Sequence, residues 1–170
     1  TVHKAFTEAD AILAGDALSV MAFQVIAGSV EQPPEVVQQL VLDLTSATGV
    51  IGMIGGQAMD IASQGKTLSL DDLRDLHARK TGALITASCV MGGRCGGASD
   101  DEIERLRTFG EHVGLAFQIA DDLLDVTADA DAMGKATGKD ADAALAAVDS
   151  FADDAGPLRL LARFAATRRR

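Results

Sequence analysis

Apolar residues recur three and four positions apart along most of the chain, and this spacing is typical of helices with one buried side. The strict alternation of apolar and polar residues that indicates a β-strand is not found in the sequence. The pattern predicts helices over residues 5–28, 34–64, 70–92, 100–128 and 142–167. We therefore expect an all-α fold.

Short polar stretches separate these predicted helices. Pro33 and Pro34 end the first helix, because proline is excluded from a helix interior but is accepted in the first turn of the next one. Ser69, with Asp72 three residues later, is close to the capping-box pattern that begins a helix. A polar, glycine-punctuated stretch, TADADAMGKATGKDADA at residues 127–143, predicts a loop before the last helix.

Three glycines lie on one face of the predicted second helix, since Gly49, Gly52 and Gly56 are three and four residues apart. Each glycine costs about 1 kcal/mol of helix stability relative to alanine. Something must offset that cost. We expect the close approach of another helix or of a ligand, or equally of a partner subunit.

The composition narrows the class of protein and of partner. The 170 residues are 48% apolar, with neither Trp nor Tyr, which fits one domain with a sizeable helical core. A net charge of −10 argues against nucleic acid, because a surface that follows phosphates is basic. An acidic chain that binds a polyanionic substrate would need metal cations between the two. Cys89 and Cys95 do not have the spacing of a zinc site.

The start of the sequence does not have the charged and apolar regions of a signal peptide. We also find no apolar run of about 18 residues or more, the length that a membrane-spanning helix needs. We therefore expect a cytoplasmic protein with no stable membrane insertion.

A narrow acidic stripe follows the helix predicted over FQIADDLLDV, residues 117–126. At about 100° per residue, Asp125 and Gln118 lie within about 60° of Asp121, and Asp122 lies about 100° away. Apolar residues occupy most of the remaining circumference, and no Lys or Arg lies within seven residues of the acids. Carboxylate oxygens suit Mg²⁺, so the stripe predicts a magnesium site, with a solvated face as the alternative.

A positive cluster precedes this stripe in HARKTG, residues 77–82. His77, Lys80 and Thr81 are at helical positions i, i+3 and i+4, so we expect them on one face. A lysine and a hydroxyl opposite a bound magnesium ion would form a clamp for a diphosphate. For His77, the alternative to a role in this clamp is a structural one, as a hydrogen-bond partner or a helix cap.

Five stretches together resemble the trans-isoprenyl diphosphate synthases, close to bacterial farnesyl and geranylgeranyl diphosphate synthases. They span about residues 1–140 and are AILAGDAL (11–18), GGQAMD (55–60), LHARKTGAL (76–84), GLAFQIADDLLDV (114–126) and MGKATGKD (133–140). The resemblance implies long, mostly antiparallel helices around a deep central cavity. It also implies magnesium-assisted ionisation of an allylic diphosphate. Condensation with isopentenyl diphosphate then gives a longer all-trans prenyl diphosphate.

The resemblance assigns roles to individual residues. Mg²⁺ would be bound, directly or through water, by Asp121, Asp122 and Asp125. Among the catalytic and substrate-binding residues, Lys80 and Lys135 would contact the allylic diphosphate. Thr81 and Gln118 would lie beside the reacting allyl group. Gln57 and Asp60 would lie at the cavity floor and support the residues that contact the substrate. Lys139 is a further candidate phosphate ligand, with a solvated loop lysine as the alternative.

The sequence departs from the family pattern in two places. In the family, the first aspartate-rich motif and its arginine pair precede the residues that match TVHKAF, and a further Lys and a helix follow those that match about residue 141. The given residues do not contain these features. We therefore predict that residues 1–170 form a single all-α domain that is incomplete at both places. An intact mass near 17.6 kDa would contradict this hypothesis. The resemblance also favours a homodimer, whereas the product chain length cannot be read from these residues.

Two other functions are compatible with these residues. One is a terpene cyclase-like enzyme of the same fold, which would form product from an allylic diphosphate without isopentenyl diphosphate. The other is a non-catalytic partner subunit that lacks the first aspartate-rich motif. Activity assays with and without isopentenyl diphosphate, together with size-exclusion chromatography, separate the three.

Overall fold

The computed structural model describes the backbone of residues 1–126, 141–151 and 155–167, and the side chains of residues 1–121, 141–151 and 155–165. Every regular element in these ranges is helical, so the all-α prediction is confirmed. The elements are α1 (Val2–Ala5), α2 (Glu8–Ala27), α3 (Pro34–Thr48), α4 (Met53–Ser63), α5 (Leu70–His77), a π-helical turn (Ala78–Gly82), α6 (Ala83–Cys95), α7 (Asp100–Val126), α8 (141–147) and α9 (Gly156–Thr167).

The chain divides into two compact units, and the first comprises Thr1–Leu42. In this unit α1 packs against α2, which begins with a complete capping box. The backbone N–H of Asp10 donates to Thr7 Oγ1 at 3.1 Å, and Thr7 N–H donates back to the Asp10 carboxylate at 3.1 Å. Hydrogen bonds from Thr7 lower the pKa of Asp10. No residue of α2 is buried, and its exposed large apolar residues are Ile12, Leu13, Leu18, Val20, Met21 and Val25.

Two segments are long and apolar enough to cross a membrane by length and composition alone, Glu8–Ala27 and Pro34–Ser63. The expectation that the sequence contains no such segment was therefore wrong. Both segments contain isolated acidic residues that interrupt an apolar run without making the whole window polar. Helices of soluble proteins meet the same criterion, so this finding is weak evidence for membrane insertion.

The second unit, Asp43–Arg170, contains the core. Phe109 and Val113 of α7 are fully or almost fully buried against small residues of α8 and α9. The partners in this cluster include Ala144, Val148, Ala155, Ala162 and Ala165. Alanine on α9 allows that helix to pack closely against α7.

Helices α6 and α7 form an antiparallel pair along small residues. A Cβ on Gly110 would lie 2.6 Å from the Cα of Thr86, and a Cβ on Gly114 would lie 2.8 Å from the Cα of Gly82. The residue numbers increase on one helix as they decrease on the other, so the two chains run in opposite directions. The backbones approach too closely for any side chain at either glycine.

Three of the predicted helices are interrupted in the structure. The second breaks at residues 49–52, where a Cβ on Gly52 would collide with the carbonyl oxygen of Ala47, so its glycines end one helix and begin the next. The third contains the π-helical turn. The last is divided by a turn at residues 148–150. The fourth, by contrast, was predicted over residues 100–128 and is observed at Asp100–Val126.

Candidate functional site

The π-helical turn is held between α4 and α7 by two glycines. Gly56 of α4 lies against the backbone N and Cα of Lys80, so that a Cβ there would be 2.8 Å from the Lys80 Cα. Gly114 of α7 contacts Gly82 on the other side. The expected close approach of another helix to the glycine face is therefore confirmed at Gly56. The turn itself has one more residue than an α-helical turn, which changes the direction of the side chains that follow.

Lys80 forms an ion pair with Asp60 of α4. Its Nζ donates to the Asp60 Oδ2 at 2.5 Å, and both side chains are a little over a third exposed, at 38% and 39%. A lysine in this setting is held in one direction by a carboxylate and is still reachable from solvent. An anion that approaches Lys80 would therefore meet an already oriented ammonium group.

Thr81 reaches a different helix from Lys80. The Thr81 hydroxyl donates to the Gln118 Oε1 at 2.9 Å, which joins the π-helical turn to α7. His77, Lys80 and Thr81 were predicted on one face of an α-helix. The structure corrects the helix type, because residues 78–82 are π-helical, and Lys80 and Thr81 bond to different helices. Thr81 does contact Gln118, the amide of the predicted acidic stripe. The predicted clamp with the three aspartates remains a prediction.

Helix α7 continues past Gln118 into the acidic stripe. Asp121 follows Gln118 by three residues, so it lies about one turn further along the same side, and its side chain is exposed. The helix includes Asp122 and Asp125, whose side chains lie outside the described residues. Lys135 and Lys139 also lie outside them. Among the side chains that are described, no group of three or more His, Cys, Asp or Glu could hold a metal ion.

The remaining predicted residue, Gln57, is exposed on α4, one turn before Asp60. Both residues project from the helix that Gly56 brings against the π-helical turn. The described part of the site is thus built from α4, the π-helical turn and α7, and its bonded pairs are Asp60–Lys80 and Thr81–Gln118.

The part of the chain that the structure describes contains a cavity of about 490 Å³. The resemblance implied a deep central cavity, but the residues that line this one were not predicted from the sequence. Its lining residues come from α3, the turn between α3 and α4, α5, the π-helical turn, α6 and α7, and they include Gly82, the residue after Thr81. Much of its wall is apolar and small, and includes Ala47, Ile51, Ala83, Ala87, Val90 and Leu115. The sequence signal was the alanine spacing on α6, which leaves space where larger side chains would pack.

One residue of the cavity wall belongs to an ion pair between α3 and α6. Asp43 of α3 lines the cavity, and its Oδ2 accepts from the Nε of Arg94 on α6 at 2.6 Å. The two side chains are 23% (Arg94) and 17% (Asp43) exposed, the lowest values among the ion pairs of the described residues. Sequence reasoning missed this pair, because the partners are 51 residues apart and neither belongs to a motif.

The described part of the site lies within a segment of the chain that matches a known protein family. A family model described as polyprenyl synthetase matches residues 1–148. The chain belongs to the polyprenyl synthetase family. The motifs that suggested this resemblance therefore include the residues that form the Asp60–Lys80 and Thr81–Gln118 pairs.

The relatives of this family member include characterised plant and bacterial proteins. It is 46% identical over 146 residues to the heterodimeric geranylgeranyl pyrophosphate synthase large subunit 1 of Arabidopsis thaliana, covering 82% of this chain and 39% of that protein. It is 44% identical over 142 residues to the farnesyl diphosphate synthase of Geobacillus stearothermophilus, covering 82% and 48%. The chain thus spans less than half the length of these two relatives.

Solved structures agree on the fold. The chain superimposes on an FPP/GFPP synthase from Zymomonas mobilis with a TM-score of 0.89 and 36% identity, covering 97% of this chain and 64% of that one. A geranyltransferase from Helicobacter pylori gives a TM-score of 0.80 and 28% identity, covering 98% and 62%. The arrangement of helices in this chain is therefore that of prenyl diphosphate synthases.

Proposed function

We propose that the protein is a prenyltransferase that condenses isopentenyl diphosphate with an allylic diphosphate to give a longer all-trans prenyl diphosphate. The observation that supports this most directly is the Thr81–Gln118 hydrogen bond, which fixes the π-helical turn against α7. It holds Lys80 close to the helix that carries the acidic stripe. The ammonium group of Lys80 for the diphosphate and the carboxylate oxygens of the acidic stripe for a metal thus come from the π-helical turn and from α7, which are fixed to each other.

Members of this family typically use Mg²⁺. The donor chemistry of this chain fits that ion, because Asp121 presents an exposed carboxylate on α7 and Asp122 and Asp125 follow on the same helix. We propose these three aspartates as its ligands. When bound, magnesium would neutralise charge on the diphosphate and assist its departure.

The first step of the proposed reaction breaks the allylic carbon–oxygen bond, and both electrons leave with the diphosphate oxygen. The ammonium group of Lys80 would attract that developing negative charge, and we propose Lys135 and Lys139 as further contacts to the same diphosphate. The oxygens of Thr81 and Gln118 are neutral dipoles that would face the allyl cation without reacting with it. The cation then adds to the double bond of isopentenyl diphosphate, and loss of a proton restores a double bond.

The cavity beside Gly82 supports a prenyl substrate in particular. Its volume of about 490 Å³ is within the range of roughly 300–1,000 Å³ that small-molecule sites occupy. A diphosphate held at Lys80 would leave its hydrocarbon tail close to Gly82, which lines the cavity. We propose that the tail enters the cavity along the small residues of α6, and that Gln57 and Asp60 support the diphosphate end.

A homodimer is the second part of this proposal. The exposed apolar residues of α2 form a surface that a second copy could cover, and one similar protein is described as a subunit of a heterodimer. Sedimentation equilibrium tests this, and a monomer at tens of micromolar protein would contradict it.

The decisive experiment is a condensation assay with Asp121→Ala. We expect the wild-type protein to elongate an allylic diphosphate only when isopentenyl diphosphate and Mg²⁺ are both present. The variant should lose at least a hundredfold in turnover while its circular dichroism spectrum is unchanged. Product formed without isopentenyl diphosphate would instead support a cyclase, and unchanged turnover of the variant at saturating Mg²⁺ would refute the aspartate assignment.

A further inference from the structure

Helix α9 places small residues inwards and large apolar residues outwards. Ala162 and Ala165 are buried in the core cluster, whereas Leu160 and Phe164 on the same helix are 70% and 57% exposed. Leu161, between these two, is 42% exposed. A helix that only completed a core would bury leucine and phenylalanine in preference to alanine, because burial stabilises in proportion to apolar area. In the described part of the chain, α9 therefore leaves its larger apolar surface open to solvent.

The outward residues share one face of the helix. At about 100° per residue, Leu160, Phe164 and Leu161 fall within an arc of about 100°, and the buried alanines lie outside it. We call these three residues the outer face of α9. Arg163 lies about 60° beyond Leu160 around the helix, and its side chain is exposed. The outer face thus combines an apolar surface with an arginine along its edge.

Helix α9 and the residues after it form the most basic part of an acidic chain. Residues 156–170 contain five of the 15 basic residues and neither Asp nor Glu, whereas the net charge of the whole chain is −10. An arginine can lay its methylene groups along an apolar surface while its guanidinium contacts water or a phosphate. The charge and the outer face together therefore fit a partner that is both apolar and negatively charged.

The small size of the outer face decides between a protein and a lipid surface. Three partly exposed side chains present at most a few hundred Å², since even a large aromatic residue buries only about 150–250 Å². A specific protein–protein interface buries roughly 800 Å² on each partner. A helix on a lipid surface needs less area, because insertion of apolar side chains acts together with the attraction of basic residues to anionic lipid.

The length of α9 determines how it could contact a bilayer. Its 12 residues extend over about 18 Å, which is shorter than the roughly 30 Å hydrocarbon core of a bilayer. The helix is too short to cross that core. Its inner side is also occupied by the packing against α7. A bilayer could therefore be contacted only from the outer face, with the helix lying along the surface.

We propose that the outer face of α9 docks the protein on an anionic lipid bilayer. Leu160, Leu161 and Phe164 enter the headgroup region, and Arg163 contacts lipid phosphates. The contact is peripheral, and α9 stays packed on α7. The helix lies beyond residues 1–148, which the polyprenyl synthetase model matches. The inference goes beyond the proposed function, because it requires neither a prenyl substrate nor turnover.

Flotation with lipid vesicles tests this proposal on the whole chain without substrates. The vesicles contain either phosphatidylcholine alone or equal parts of phosphatidylcholine and anionic phosphatidylglycerol. We expect the wild-type protein to bind the anionic vesicles at least about tenfold more tightly than the neutral ones, and to lose most of this difference at high salt. Leu160→Gln/Phe164→Gln should weaken binding to the anionic vesicles at least about tenfold, because it removes most of the apolar face.

Phe6→Gln/Leu70→Gln is the matched control. It changes the same two residue types outside α9 at similarly exposed positions, 70% for Phe6 and 74% for Leu70. This variant should bind the anionic vesicles as the wild-type protein does. Both double variants should keep the wild-type circular dichroism spectrum, since all four side chains are exposed.

A tryptophan on the outer face gives a second measurement that does not depend on a loss of binding. The sequence contains neither Trp nor Tyr, so Leu160→Trp introduces a single indole. Its emission should shift to shorter wavelength on anionic vesicles and be quenched by lipids with brominated acyl chains, because the ring enters the boundary between headgroups and acyl chains. Leu70→Trp should show neither change.

The outcomes separate this inference from its alternatives. Failure of the wild-type protein to bind anionic vesicles overturns it, as does equal binding to neutral ones. Wild-type binding by Leu160→Gln/Phe164→Gln, or unchanged emission of vesicle-bound Leu160→Trp, overturns it as well. If sedimentation equilibrium without lipid shows a dimer for the wild-type protein and a monomer for Leu160→Gln/Phe164→Gln, the outer face is an interface between two copies and the lipid proposal fails. A protein that binds the vesicles but does not elongate an allylic diphosphate would contradict only the proposed function.

Discussion

Gly56 has no space for a side chain, and this makes it a sensitive position in the site. A Cβ there would lie 2.8 Å from the Cα of Lys80 and even closer to its backbone N. Because these are backbone atoms, the π-helical turn itself would have to move. We expect Gly56→Ala to lower the free energy of unfolding by about 1–3 kcal/mol, as measured by urea denaturation.

Gly92 on α6 is the matched control for this substitution. It is also helical, but a Cβ at this position would have no neighbouring atom within 4 Å beyond the backbone of its own helix. Gly92→Ala should therefore stabilise the protein by up to about 1 kcal/mol, the intrinsic helix preference of alanine. Equal effects of the two substitutions would show that close packing at Gly56 is not the determining factor.

The two cysteines differ in environment, and this predicts different reactivity. Burial raises the pKa of the Cys89 thiol, whereas Cys95 is exposed at the end of α6. A raised pKa leaves less of the reactive thiolate at any pH below it. At pH 8 we expect iodoacetamide to modify Cys95 several-fold faster than Cys89, as measured by peptide mass spectrometry. Equal labelling rates in the folded protein would contradict this.

At the scale of helices, the sequence predicted those elements whose ends depend on local chemistry. The third helix was expected to begin after Ser69, and in the structure Ser69 Oγ accepts from the backbone N–H of Asp72 at 3.1 Å. The fourth helix was predicted to begin at residue 100, and it begins at Asp100. Both have strong local signals, a capping residue in one and a long apolar period with an acidic first turn in the other.

The breaks within helices were missed, one at local glycines and one at a turn whose contacts lie on other helices. The glycines at 49–52 were expected to lie in a continuous helix, and they end one instead. The π-helical turn has no composition signal of its own, since Lys80 and Thr81 fit an α-helix equally well. Their separate partners, Asp60 on α4 and Gln118 on α7, are known only once those helices are packed.

The contact between the π-helical turn and α7 can be tested at Thr81. Thr81→Val keeps the shape of the side chain and removes the hydroxyl that donates to Gln118. We expect a loss of about 0.5–1.5 kcal/mol in stability for a partly buried hydrogen bond, together with reduced turnover. Thr81→Ser retains the hydroxyl and should restore most of both. A valine variant with full activity and wild-type stability would show that the bond has no role in the site.

At the scale of the whole molecule, the net charge of −10 has to be reconciled with a polyanionic substrate. Within the described residues, the lysine at the site is already paired with Asp60, and the neighbouring helix presents Asp121. The chain and a diphosphate are both negatively charged, so neither supplies the positive charge that would hold the other. The two should therefore bind well only with a divalent cation between them, so that metal and diphosphate depend on each other.

This dependence predicts a thermal stability that responds to two ligands together. A ligand at 100 times its dissociation constant stabilises the folded state by about 2.7 kcal/mol. For a chain of this size that corresponds to roughly 5–11 °C in Tm. We expect such a rise with inorganic pyrophosphate and Mg²⁺ together, and at most a small change with either alone.

The variant Asp121→Ala should show a smaller joint effect. The Tm of the variant without ligands should stay close to the wild-type value, because the Asp121 carboxylate is exposed and contributes little to folding. If pyrophosphate alone gave the full shift, the acidic stripe would not act through a metal, and the lysine would be sufficient for binding.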